Sequence, residues 1–183
     1  MSADFTAIIG FEKERVDIQA FYKDLVRGIG FQSLYDCIRE LKKLNPQSKW
    51  GDAWSFEDKD GCIEISGMGG ISFVFSEHCC MIQHYLHWIS FILDDVGINY
   101  QSRLRDICCE IATYFRSTFA IYFPDSASKS SLIQDLFYDG ENIDQIKVWL
   151  KSECGEPVSL IRYLYDDECH DFLKKGYFVD HFH

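Results

Sequence analysis

The chain has 183 residues, 47% of them apolar and 16% aromatic, which is enough for one packed domain and argues against long disordered stretches. A formal charge of −11 repels nucleic-acid phosphates and anionic lipid, so the expected partner is a cationic protein and neither nucleic acid nor a membrane. No apolar run approaches the ~18 residues that cross a bilayer, and Met1-Ser2-Ala3-Asp4 lacks the basic and apolar segments of a secretory signal, so a cytoplasmic location is expected.

In chain order, Thr6 to Phe11 is a short β-branched run that suits a buried strand. Asp17 then offers a cap to a helix whose stripe is Ile18, Phe21, Tyr22, Leu25 and Val26, ended by Gly28 and Gly30. A second helix is signalled by Ser33 as cap and by Leu34, Cys37, Ile38, Leu41 and Leu44 on one side, with Asn45-Pro46 as its stop. Ala53 to Glu57 and Cys62 to Ser66 read as a hairpin around Asp58-Lys59-Asp60-Gly61, and Gly67-Met68-Gly69-Gly70 leads into a further strand, Ile71 to Phe75.

Residues 76 to 93 are ambiguous: Met81, Tyr85, Trp88, Ile89 and Ile92 fit a helical stripe, while the run up to His84 could continue β structure, and the second half is expected to be helix. Arg103 to Phe115 carries Leu104, Ile107, Cys108, Ile111, Ala112 and Phe115 at strict helical spacing, and Thr118 to Phe123 follows as a strand. Asn142-x-x-Gln145 is a capping-box start for a helix burying Ile143, Ile146, Trp149 and Leu150, stopped by Gly155 and Pro157. Leu160 to Phe172 reads as helix and Tyr177 to Val179 as a last short strand. Strands clustered early, with helices before and after, predict a single α+β domain over residues 1 to 183: a mainly antiparallel sheet covered by amphipathic helices.

Eight cysteines without a secretory signal are expected to be reduced thiols, most of them small core residues. Cys80, His84 and His87 would project from one side of a helix at i, i+4 and i+7, which raises a zinc site or a Cys/His or metal-dependent hydrolase. No second half-site accompanies them, and packed thiols with part-buried imidazoles explain the residues better, so no cofactor or metal is expected. Gly67-Met68-Gly69-Gly70 lacks the spacing and the Lys-Ser/Thr of a phosphate loop and reads as a bend. No catalytic motif is present, so a non-catalytic role is favoured. Trp50 and Trp54 are either aromatic anchors for a partner or a lid on the core. Asp139-Gly140-Glu141 and Asp166-Asp167-Glu168 are acidic clusters, either solvated faces or surfaces that steer a basic partner.

Trp50-Gly51-x-x-Trp54, Gly69-Gly70-Ile71-Ser72-Phe73, Tyr122-Phe123-Pro124-Asp125 and Gly155-x-Pro157, with the acidic α+β character, resemble the cytoplasmic immunity proteins of bacterial toxin systems, including contact-dependent inhibition. The resemblance implies a non-catalytic protein that binds and neutralises a basic, nuclease-type toxin domain, and it carries over no functional residue. The remaining alternative is a small-ligand or regulatory binding domain whose pocket the early strands would form.

Overall fold

In the computed structural model, residues 4–12, 16–44, 46, 51–59, 61–94, 99–125, 130–164 and 176–182 are described. Seven strands form one antiparallel sheet: β1 (Asp4–Gly10), β2 (Ser55–Lys59), β3 (Cys62–Ser66), β4 (Ile71–Phe75), β5 (Cys79–His87), β6 (Phe119–Pro124) and β7 (Phe178–His181), in the order β2-β3-β4-β5-β1-β6-β7. Among the described residues six helices accompany them: α1 (Ile18–Arg27), α2 (Gln32–Leu44), α3 (Trp88–Leu93), α4 (Tyr100–Phe115), α5 (Ser130–Tyr138) and α6 (Ile143–Cys154), with a 3-10 turn at Ile161–Leu164. The architecture is α+β, as the sequence predicts. No helix among the described residues is long and apolar enough to cross a membrane.

Strand alternation divides the core in two. On the first face Phe5, Ala7 and Ile9 of β1, Phe73 and Phe75 of β4, and Cys80 and Ile82 of β5 pack against helices α1 to α4. Phe21 of α1 is the hub, with ring centroids 5.4 Å from Phe31 and 5.5 Å from both Phe73 and Phe75, in edge-to-face geometries that add to the area buried. On the second face Ile8, Met81, Ile121 and Phe123 are covered by Ile133 and Phe137 of α5 and by Ile146 and Leu150 of α6. Gly10 lets α6 approach β1 closely, because a Cβ there would lie 2.3 Å from Ile143 Cγ2.

Local signals explain most of the boundaries. Asp17 accepts the Ala20 N–H and Gly28 closes α1 at φ 70°; the Asn142 and Gln145 side chains make both bonds of the capping box on α6. Lys59 pairs with Cys62 around a two-residue loop, with Gly61 at φ 84°. At the far edge, Arg105 of α4 grips Asp180 of β7 through Nε and a terminal nitrogen at 2.7 and 2.9 Å, and the Tyr122 hydroxyl donates to the same carboxylate at 3.1 Å. This charged fork fixes β7 to α4.

The structure departs from the sequence expectations at five points. Residues 79 to 87 are strand, and helix begins only at Trp88. The cause is β5's central place between β4 and β1: Cys79, Cys80, Met81 and Ile82 are all buried, and a run buried on both faces carries no period that separates strand from helix. Ser33 is not the cap of α2, whose first turn is held from α4. Val26 and Leu44 face solvent, so the stripes of α1 and α2 are narrower than expected. Helix α5 is additional, announced only by Ile133 and Phe137 at i and i+4. The expected helix from Leu160 is a single 3-10 turn as far as Leu164; 165–175 lie outside the described residues.

Candidate protein-interaction site

Among the described residues, helices α5 and α6 cover the second face over β1, β6 and β7 and over Val74 of β4 and Cys79 and Met81 of β5, with Cys62 of β3 packed at the margin. On β3 alternation sends Ile63 and Ile65 to the first core and Cys62, Glu64 and Ser66 to the other side; on β4 it sends Ser72 there, and on β5 Gln83. Register aligns these residues into a polar row across five strands: Ser55 faces Ser66, Ser66 faces Ser72, Ser72 faces Gln83, and Gln83 faces Thr6. The Ser72 hydroxyl donates to Gln83 Oε1 at 3.5 Å, and that of Ser55 to the Ser66 carbonyl at 3.0 Å.

One step along, Glu57 stands directly opposite Glu64. Like charges at such a position oppose pairing by a fraction of ~1 kcal/mol, an unfavourable choice for a strand pair that had only to fold.

The row ends in a cavity of about 390 Å³ whose lining includes Asp4, Glu64, Asp125, Ser66, Gln83 and Tyr85. Two of these carboxylates are locked together through the backbone. Asp4 N–H donates to Asp125 Oδ1 at 2.7 Å, and Asp125 N–H returns a bond to the Asp4 carbonyl at 3.0 Å. Burial raises the Asp4 pKa and the Asp125 charge raises it further, against the bond from His87, whose Nδ1 lies 3.2 Å from Asp4 Oδ1. Gly67 and Gly70, from the bend between β3 and β4, complete the rim, which is acidic and unsuited to phosphate. Exposed Tyr85 stands at the cavity, and exposed Tyr138, at the end of α5, lies within electrostatic reach of Cys62 and Glu64; burial is the main cause of its raised pKa, followed by those two groups.

The residues singled out from sequence are distributed differently. Trp54 is in the first core, its Nε1 donating to the Tyr35 hydroxyl at 3.1 Å, so it is a lid and not an exposed anchor. Trp50, Asp166, Asp167 and Glu168 lie outside the described residues. Asp139 is exposed and Glu141 half-buried, in the turn between α5 and α6. Their neighbour Gly140 lies against Glu77 of the β4 to β5 turn, which brings acidic residues together there.

Cys80, His84 and His87 do not converge. On a strand at ~3.3 Å per residue Cys80 and His84 are ~13 Å apart along one face. His84 Nδ1 accepts the Leu86 N–H at 2.9 Å, and burial lowers its pKa to about 4, against a backbone hydrogen bond at Gly69. His87 is exposed beside Asp4. No group of three or more metal-ligating side chains is found among the described residues. The described cysteines are free thiols. Burial pushes Cys37 up to about 11 and Cys79 up to about 12, and lifts Cys80 and Cys108 well above the ordinary range, which disfavours a thiolate nucleophile at these four positions.

Asp4, Glu64, Asp125 and Tyr85 were missed as site residues, although Cys62-Ile63-Glu64-Ile65-Ser66 and Ile71-Ser72-Phe73 already show a polar residue at every second position. What they define is an antiparallel sheet whose second face carries, among the described residues, a polar row and an acidic cavity beside the core under α5 and α6. Comparison with known proteins finds no matching family model, no matching curated protein and no matching solved structure.

Proposed function

We propose that this chain is a non-catalytic, cytoplasmic binding protein that takes a cationic protein partner on the open, acidic half of its sheet. The observation that carries the reading is the charged lining of the cavity: Asp4, Glu64 and Asp125 are carboxylates, and neither Lys nor Arg is among the described lining residues. A cation brought to ~4 Å from one carboxylate at a protein surface gains ~4 kcal/mol before desolvation is subtracted, and it relieves the repulsion between Asp4 and Asp125 as well. The serine row supplies hydrogen bonds, and Tyr85 and Tyr138 supply aromatic contact of the kind that anchors interfaces. Within this reading the partner is a toxin domain of nuclease type, in line with the resemblance to immunity proteins. The carboxylates would sit where the nuclease otherwise holds phosphates.

The test is affinity capture with the native protein and with Glu64→Gln/Asp125→Asn, followed by binding of each retained protein in purified form. The reading expects a basic protein bound at least tenfold more weakly by the double variant, with a nuclease activity that the native protein suppresses. Equal binding to both forms contradicts the acidic face; a partner without inhibited activity contradicts the toxin assignment alone.

A second reading, small-ligand binding, has its own support in the 390 Å³ cavity between the early strands. Saturable thermal stabilisation by arginine or agmatine, abolished in the same double variant, would favour it.

A further inference from the structure

The outer surface of α5 and α6 carries a groove of about 670 Å³ lined by Leu136, Val148 and Trp149, with Glu141 and Asp144 at one end. Val148 is 70% exposed, and Leu132, one turn before Leu136 on α5, is 43% exposed. Apolar side chains open to water in this way are a cost to an isolated domain and a contact surface in a complex. The rim is selective in charge. Lys147 of α6 lies over the Phe119 ring at 4.5 Å, and Lys151 pairs with Glu156. Asp139, Glu141 and Asp144 make no ion pair with a described residue.

We infer that this groove receives an amphipathic helix of the partner, with leucine-like side chains in the groove and Lys or Arg facing Glu141 and Asp144. The inference rests on the reading that the chain binds a cationic protein, and it adds a second contact surface on the same side of the sheet. The twelve residues of α6 span ~18 Å, which matches about three turns of an incoming helix. Charge selects the occupant: a second copy of this chain would bring another net charge of −11 against an acidic rim. A basic helix meets the opposite sign.

The probe is a synthetic 14-residue peptide of Leu and Lys at helical spacing, with a scrambled peptide of the same composition as control. The helical peptide is expected to quench or shift the fluorescence of Trp149, a signal absent in Trp149→Phe, and to bind at least tenfold more weakly to Val148→Asp. Val148 is exposed, so this variant is expected to keep the native thermal unfolding curve. Equal binding of the scrambled peptide, or unchanged binding to Val148→Asp, overturns the groove. Peptide binding that falls in Glu64→Gln/Asp125→Asn yet is unchanged in Val148→Asp overturns the groove while leaving the acidic face standing, and the acidic face itself fails only if the captured partner binds both forms equally. Self-association of the native chain that is lost in Val148→Asp would name a second copy as the occupant and also overturn the inference.

Discussion

Glu110, on α4, holds the backbone N–H of Ser33 at 2.6 Å and so caps the start of α2 from another helix. Its second carboxylate oxygen accepts the Leu34 N–H at 3.1 Å. Phe31, just before α2, is fully buried and has no group with which to cap. Glu110→Ala is therefore expected to destabilise the fold by about 1–2 kcal/mol, the cost of a lost cap, and to speed amide exchange at Ser33 and Leu34. Urea unfolding and hydrogen exchange measure both, and an unchanged midpoint would mean that water replaces the carboxylate.

His84 gives stability a defined acid limit. Its folded pKa, about 4, lies below the ordinary 6.5 because burial disfavours the charged ring. The unfolded chain therefore takes up the proton first, so this contribution is intact above pH ~6.5 and declines as pH falls toward 4, by up to roughly 3 kcal/mol. Urea unfolding of His84→Gln between pH 7.5 and 4 is expected to show a shallower decline than the native protein. Parallel curves would assign the acid sensitivity to other groups.

Two glycines with positive φ should respond very differently to alanine. At Gly67, φ is 136° and a Cβ would lie 2.3 Å from the Ala53 carbonyl oxygen, a backbone atom that cannot swing away. At Gly61, φ is 84° with nothing within 4 Å. Gly61→Ala is expected to cost about 1 kcal/mol for the left-handed conformation alone, and Gly67→Ala more than twice that. Equal losses in thermal unfolding would show that the bend between β3 and β4 yields.

Thr6 runs the other way. It is fully buried on a central strand, and its hydroxyl has no hydrogen-bond partner among the described residues. Thr6→Val keeps the shape and removes the unsatisfied group, so the expected result is a gain of about 1 kcal/mol in chemical denaturation. A loss of stability would reveal an unrecognised partner for the hydroxyl.

Much of the fold is legible in the sequence wherever one face is buried and the other is wet. The stripe of α4, the Asp17 cap and the Asn142 to Gln145 box are local signals, and local physics decides them. Legibility fails where tertiary context decides. Residues 79 to 82 are buried on both faces, the cap of α2 comes from 77 positions away, and α5 shows only two core residues. The candidate site lies between these extremes. The alternation of Glu64, Ser66 and Ser72 is readable as a polar strand face, but only the pairing of distant strands aligns these residues in one row and brings Asp4 and Asp125, 121 residues apart, together beside it.

The central claim is that a local acidic face, and not bulk negative charge, recruits the partner. It is tested most directly by titration calorimetry of the captured basic protein against two variants that each remove two carboxylates: Glu64→Gln/Asp125→Asn in the cavity, and Asp106→Asn/Glu153→Gln at exposed positions elsewhere. The account predicts at least a tenfold loss of affinity for the first variant and near-native affinity for the second. Equal loss in both would contradict it.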